Sequence, residues 1–338
     1  MAFSSSPRST CKSWLLLTLL VVLPPAAPAL LAQTTPALST GPACPSGLSS
    51  EGTKVCQAAL DGVRALHATA GLLLSGGNPV IGTAEAGGRG RFGHLQLTFR
   101  AVVAEVVAPD TRFDGSVDTV AVGHRGHLAA PQADLAFGLF SRTLPVGTVT
   151  FDLMGSVLGI PDDRFTSFQT VPGSRTVGNL SVGFGFGFRA AVIGPKLPVV
   201  SLSVMKRDTP TLQYGSTTTG DNAAYTFNTS AINVRLFAGK RFGALEIAAG
   251  GGVNLLKGDA NVVYVDPATG VVGAPIEFAL SSTRMVTAFN TGLVLGPVRL
   301  SGEGGYQIGK DEGLVTRFAE NNLKAGKFFG SFGFGFRL

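Results

Sequence analysis

From about Gly93 to its last residue, the chain alternates apolar with polar or small residues, one for one, in segment after segment. In "HLQLTFRAV" (94–102), Leu95, Leu97, Phe99 and Ala101 take one side, and Gln96, Thr98 and Arg100 take the other. The same period runs through 134–140, 148–158, 179–189, 199–205, 231–239, 244–255, 284–295, 298–307 and 331–338. Successive side chains of a strand point to opposite faces, so this pattern predicts about ten strands, each with one apolar face.

The connections add topology. "RTLPVG" (142–147), "GPKLP" (194–198), "KRFG" (240–243) and "GP" (296–297) are short and carry turn-forming Gly or Pro. Between them fall long polar segments at roughly 108–131, 159–176, 206–226, 257–282 and 308–326. Short and long connections that alternate strictly are those of an up-and-down transmembrane barrel. A soluble β-sandwich has no need of that alternation. The fold expected is therefore all-β: an antiparallel up-and-down transmembrane β-barrel over 93–338, with an even number of strands and both barrel ends on the short-turn side.

Composition agrees with strands crossing a membrane. The 338 residues are 45% hydrophobic and only 14% charged, with 46 glycines, and mean hydropathy is +0.31. Outside the N-terminus no apolar run reaches the roughly 18 residues of a spanning helix. At the N-terminus, Arg8 and Lys12 precede "LLLTLLVVL" (15–23), prolines 24, 25 and 28 interrupt, and "ALLAQ" follows. These zones read as a secretory signal peptide over 1–32, cleaved after Ala32 or Ala29, with Ala32 favoured. Without Arg8 and Lys12 the net charge falls from +6 to +4, spread along the chain with no basic run, which excludes a nucleic-acid surface. Of three cysteines, Cys11 leaves with the leader. Cys44 and Cys56 form an even pair in an exported chain, for which a disulfide is expected; no neighbouring His or Cys completes a metal site.

Two strands stand out. "VGFGFGF" (182–188) and "SFGFGFRL" (331–338) place Phe184, Phe186 and Phe188, and Phe332, Phe334 and Phe336, on one face, with glycines on the other. The phenyl rings suit lipid, and glycine leaves a low wall on the lumen side. The final strand, ending on Leu338, resembles the C-terminal signature of bacterial outer-membrane β-barrel proteins. That resemblance implies recognition of Phe332, Phe334, Phe336 and Leu338 by the barrel assembly machinery, outer-membrane lipid as surroundings, and export across the inner membrane. Leu338 stands where Phe is usual.

With the apolar faces outward, the inward set holds Arg100, Asp134, Asp152, Arg189, Arg235, Glu246, Arg299, Glu303 and Arg337. Confined charges need partners or water. This admits two readings, a salt-bridged closed interior or a water-filled channel biased toward anions by its arginines. Gly183, Gly185, Gly250, Gly252, Gly333 and Gly335 add room to a narrow ten-stranded lumen. Ahead of the barrel, "QAALDGVRALHATAGLLL" (57–74) predicts a helix with Leu60, Val63, Leu66, Ala70 and Leu73 on one side, ended by "SGGNP". At Asn78 and Pro79 the segment resembles the N-terminal hatch of the long-chain fatty-acid transporter family, which implies a lumen plug. Alternatively, within this N-terminal segment (33–92), residues 57–90 add a hairpin, making twelve strands, or form a loose periplasmic tail.

Catalytic groups are sparse. His124 and His127 lie in the first long connection, downstream of Asp110, Asp114 and Asp118, and a His–Asp pair at a barrel rim could activate water. The flanking residues resemble neither the ten-stranded membrane proteases nor the outer-membrane acylhydrolases. "GGRGRFG" (87–93) lacks the strand and helix that would make it a phosphate loop; Arg89, Arg91, Lys196, Lys240 and Arg241 suit lipid phosphates instead. The expected function is a narrow channel or passive transporter of small or hydrophobic solutes, without cofactor or metal. The alternatives are a structural or adhesive barrel acting through its long loops and, third, a loop-sited hydrolase.

Overall fold

A computed structural model describes residues 42–84, 93–145, 147–161, 168–170, 176–177, 180–194, 198–320 and 322–337. The expected leader, Arg89, Arg91, Lys196 and Leu338 lie outside the described residues. One helix, α1 (Ser50–Ser75), precedes ten long strands: β1 (Leu95–Pro109), β2 (Val122–Leu144), β3 (Gly147–Pro161), β4 (Leu180–Ile193), β5 (Val199–Asp208), β6 (Ser230–Phe242), β7 (Leu245–Asp266), β8 (Ile276–Leu295), β9 (Val298–Gln307) and β10 (Lys327–Arg337). Each pairs antiparallel with the next. β10 returns to β1 in the register Gln96↔Arg337 through Ala104↔Phe329, which closes the barrel and leaves no open edge along it.

The strand count matches the alternating pattern, while several boundaries move. β2 begins at Val122, so 122–131 is strand and not loop, and β7 and β8 extend into what reads as the connection 257–282. Polar residues extend these strands because backbone pairing does not depend on side-chain polarity: 122–131 pairs with the upper half of β1, and 257–262 of β7 with 276–281 of β8. At 23 residues, β2 is about 75 Å long at ~3.3 Å per residue. Short ladders at 168–170, 212–214 and 223–227 continue the wall beside β7, and 119–120 pairs with 317–318.

The described residues ahead of the barrel, 42–84, form neither a hairpin nor a tail. α1 lies within the barrel, against the inward faces of β1, β6 and β7, and it begins at Ser50 instead of Gln57. The expected one-sided burial gives way to burial on nearly every side, Asp61 and His67 included, because wall surrounds the helix. Small residues allow the close fit: a Cβ at Gly71 would lie 2.3 Å from Leu256 Cδ1, and one at Gly62 3.2 Å from the Tyr225 hydroxyl.

The outer surface is the apolar set predicted. Phe186 and Phe332 are 61% and 68% exposed, and Phe99, Phe151, Phe184, Phe188, Leu236, Phe289 and Phe334 share this surface. Phe99 stacks on Phe334 across the closing β1–β10 seam, with ring centroids 5.3 Å apart. An exposed apolar surface of this extent needs a non-aqueous surrounding.

Candidate functional site: the occupied lumen

α1 enters the barrel at the long-loop end. Ser49 caps it, accepting from Gly52 N at 2.8 Å, and itself donates through Oγ and N to Asp266 at 2.6 and 3.0 Å. These bonds, Oγ foremost, hold the Asp266 carboxyl below its usual range. Lys54 meets Asp118 at 2.8 Å, which likewise holds that carboxyl low. The expected disulfide is present: Cys44 and Cys56 are bonded, with Cα atoms 6.0 Å apart, and tie the preceding loop to the second turn of α1. Farther down, Asp61 accepts from Val315 N and Thr316 N at 3.0 and 2.9 Å and from Arg64 at 2.9 Å, fastening the last long loop to the helix.

The helix ends in mid-barrel on arginines that the wall supplies. Gly76, at φ +55°, turns the chain in a conformation glycine tolerates best, and α1 has no basic residue in its own last turn. The carbonyl groups there carry the negative end of the helix dipole and need donors. Arg207 donates to Ser75 O at 3.2 Å, Arg235 to Gly76 O and Gly77 O at 3.1 and 2.9 Å, and Arg100 to Asn78 O at 2.8 Å. Gln132, held by Arg100 at 2.8 Å, donates to Leu73 O at 3.1 Å. Asp134 receives both Arg100 at 2.7 Å and Arg207 at 3.4 Å, and Asn233 bridges Arg207 and Ser75 Oγ at 3.1 and 2.8 Å. The complementary acceptor is Glu303, which takes Gly77 N, Asn78 N and Ser331 Oγ at 3.1, 2.7 and 3.0 Å.

The glycine strands acquire a specific purpose at this level. Gly185 stands opposite Arg207 and Gly333 opposite Arg100, and a Cβ at either position would lie 2.6 Å from Arg207 Cγ or 2.9 Å from Arg100 Cβ. The space read as a smooth wall is thus occupied by the arginines across from it.

Below the arginines, residues 78–84 continue toward the short-turn end. Asn78 folds this stretch on itself, donating to Thr83 O at 2.7 Å and accepting from Val80 N at 3.1 Å. Val80 packs with Ala136, Met154 and Met205, Gly82 N donates to Asn290 at 3.3 Å, and Ala84 reaches Gly239. Arg189–Asp152 and Arg299–Glu246 pair at 2.7 Å each, with Arg241 3.8 Å from Glu246. Arg337 points inward with its Nη2 buried.

The nine charged residues expected inside are all inward, but they occupy separate levels. Arg100, Asp134, Arg235 and Glu303 gather at the helix end; Asp152, Arg189, Glu246, Arg299 and Arg337 stand apart from that group. Sequence reasoning missed Arg207 because the fifth strand was ended at Met205; two further residues of the same alternation bring Arg207 inward. It also missed Arg284, which pairs with Glu312 at 2.9 Å and shares the parity of Val286 and Asn290. Asp61 carried no local signal. His124 and His127 both lie on β2, not in a loop, and three residues apart on a strand they point to opposite faces, so they do not make one site. Among the described residues no cluster of His, Cys, Asp or Glu suits a metal. Lys240 and Arg241 lie at the short-turn end of β6.

Between α1 and the wall, on the long-loop side of the arginines, lies a cavity of about 40 Å³ lined by Leu66, Leu73, Leu74, Val106, Leu158, Leu212 and Phe227 among others; only Thr69 and Thr209 add a hydroxyl. A lining of this kind favours apolar occupants over polar ones.

No protein-family model matches the chain, nor does any curated protein. Solved structures similar to it include the outer membrane protease OmpT of Escherichia coli (12% identity, TM-score 0.36, covering 74% of this chain and 98% of that one). The translocator domain of autotransporter NalP of Neisseria meningitidis is similar at 11% identity and TM-score 0.37, covering 74% and 90%. The toluene transporter TodX of P. putida follows at 13% identity and TM-score 0.25, covering 74% and 89%. At these values the likenesses carry no argument about activity, and they do not show the fatty-acid transporter resemblance at Asn78–Pro79.

Proposed function

We propose that this chain is a bacterial outer-membrane barrel that binds small apolar solutes in the outer half of its lumen and admits them passively, while its N-terminal segment keeps it closed to ions. The apolar belt supports insertion in lipid, and the unequal connections support an orientation with short turns in the periplasm and long loops outside. The strands β2, β7 and β8 then rise well beyond the membrane, since even at a 45° tilt 23 residues climb about 50 Å against a hydrocarbon core of ~30 Å. Export by a leader at 1–32 and assembly through Phe332, Phe334, Phe336 and Leu338 belong to this reading.

The observation that carries it is the apolar cavity above a charged floor. A solute arriving from the loop side meets leucines and Phe227; an ion meets arginines already committed to carbonyls and carboxylates. At about 40 Å³ the resting cavity is smaller than the roughly 150 Å³ that accommodates benzene, so an aromatic occupant requires Leu66 or Leu73 to rotate. Crossing the membrane further requires residues 76–84 to move.

The test uses the mature protein in lipid nanodiscs with hexafluorobenzene as probe, read by fluorine NMR. Ala130 also lines the cavity, so saturable binding that Ala130→Leu abolishes by filling it supports the reading, as does an electrically silent wild-type barrel in a planar bilayer. Absence of binding, binding indifferent to Ala130→Leu, or sustained ion currents would overturn it. A second reading, a barrel acting through its loops without transport, is favoured by the bonds from Asp61 to Val315 and Thr316 and by Arg125 bridging Glu105 and Glu320. Partner binding lost on trimming loop 308–326, with no apolar binding, would select it.

A further inference from the structure

The direction in which the N-terminal segment threads the barrel has a topological consequence. β1 starts at the short-turn end, yet the helix before it starts at the opposite end: Ser49 bonds Asp266 at the top of β7, Lys54 pairs with Asp118 in the first long loop, and Glu51 lies against Gly115 of the same loop. The C-terminal end of α1 is in mid-barrel on Arg207 and Arg235, and Ala84 is beside Gly239, near the short turns. The chain therefore runs down the whole lumen before the first strand climbs back.

We infer that the disulfide-closed segment around Cys44, with the first turns of α1, has crossed the membrane and stands on the cell surface, forming one face with the long loops. This rests on the orientation proposed above. It means that an exported chain which reaches the outer membrane from the periplasmic side passes its own N-terminal segment outward through the barrel, or closes the barrel around it. Pro45, Ser46 and Gly47 are exposed at that end, so the surface offered to a partner includes a loop that is not one of the barrel's own.

Native lysines report it without mutation. Intact cells are treated with a membrane-impermeant amine reagent and the modified residues mapped by mass spectrometry. Lys54, 42% exposed at its side chain, and Lys324, 68% exposed in the last long loop, are expected to react, whereas Lys240, exposed near the short turn after β6, reacts only after the outer membrane is permeabilised. Lys324 labelled with Lys54 and Lys240 both protected overturns the inference and leaves the orientation standing. Lys240 labelled with Lys324 protected overturns the orientation and the inference with it. Because Lys54 is ion-paired, a short epitope inserted after Ser46 gives a second readout, with control insertions after Thr269 and Gly243 and gel mobility before and after heating to show that each barrel folds. Antibody access on intact cells at 46 and 269 but not 243 is expected; access at 269 alone overturns the inference.

Discussion

Glu303→Gln tests whether the lumen is held closed by the bonds seen at the helix end. The Glu303 carboxylate is the acceptor for Gly77 N and Asn78 N, the two amides just beyond the end of α1. Hydrogen bonds to a charged group contribute about 1.5–3 kcal/mol each, so these two supply about 3–6 kcal/mol. Glutamine keeps the shape but offers one neutral acceptor, worth about 1 kcal/mol, and turns an N–H toward the other amide. The net loss is therefore about 2–5 kcal/mol, a rise of about 30-fold to several-thousand-fold in the population with residues 76–84 displaced. Single-channel recording reads this directly: the wild type is expected to be silent and Glu303→Gln to show brief openings, while heat-modifiable gel mobility confirms an intact barrel. Amide hydrogen exchange at Gly77 and Asn78 should accelerate by the same factor. A folded Glu303→Gln barrel that remains silent and whose amides exchange at the wild-type rate would refute the reasoning.

Three further outcomes follow from other contacts. Gly185→Ala places a Cβ 2.6 Å from Arg207 Cγ and 2.9 Å from Lys206 O; overpacking of this kind costs about 1–3 kcal/mol, visible as a lower urea midpoint, whereas Gly304→Ala, with open space around it, should leave the midpoint unchanged. Replacing Cys44 and Cys56 by Ala removes a cross-link worth about 2–4 kcal/mol; exchange should quicken over 49–56 without new conductance, because the arginines hold the other end of α1. The Asp266 carboxyl is held low by Ser49 Oγ and N, so its contribution is complete above the ordinary carboxylate pKa and is lost as pH falls through the lowered one. The protection factor at Gly52, its exchange rate set against the intrinsic rate at each pH, should fall on acidification in the wild type and be low at every pH in Asp266→Asn.

Strand number, antiparallel order, the outward phenyl rings and the inward parity of nine charges were all legible in the residues. Each follows from a period of two, which is local and survives any tertiary arrangement. Arg207 was hidden only by ending its strand two residues early, and the upper parts of β2, β7 and β8 by reading polar residues as loop. The cysteine pair was legible from its even count in an exported chain, and the helix from its spacing and the "SGGNP" that ends it.

Alternation determines which way Arg100, Arg235 and Glu303 point, but says nothing of what they meet. Periodicity carries no information about what enters a closed barrel, so the sequence leaves plug, hairpin and tail open, and the wall around α1 selects the plug. Only the tertiary structure decided that the glycines of the Phe-Gly strands stand opposite Arg207 and Arg100, that these arginines and Arg235 complete a helix end more than twenty residues away in sequence, and that Glu303 binds the turn beyond it. The physical reason is that those contacts join residues separated by 22 to 226 positions, and their distances are set by closure of the barrel around the helix, a property of the whole sheet and of no segment within it.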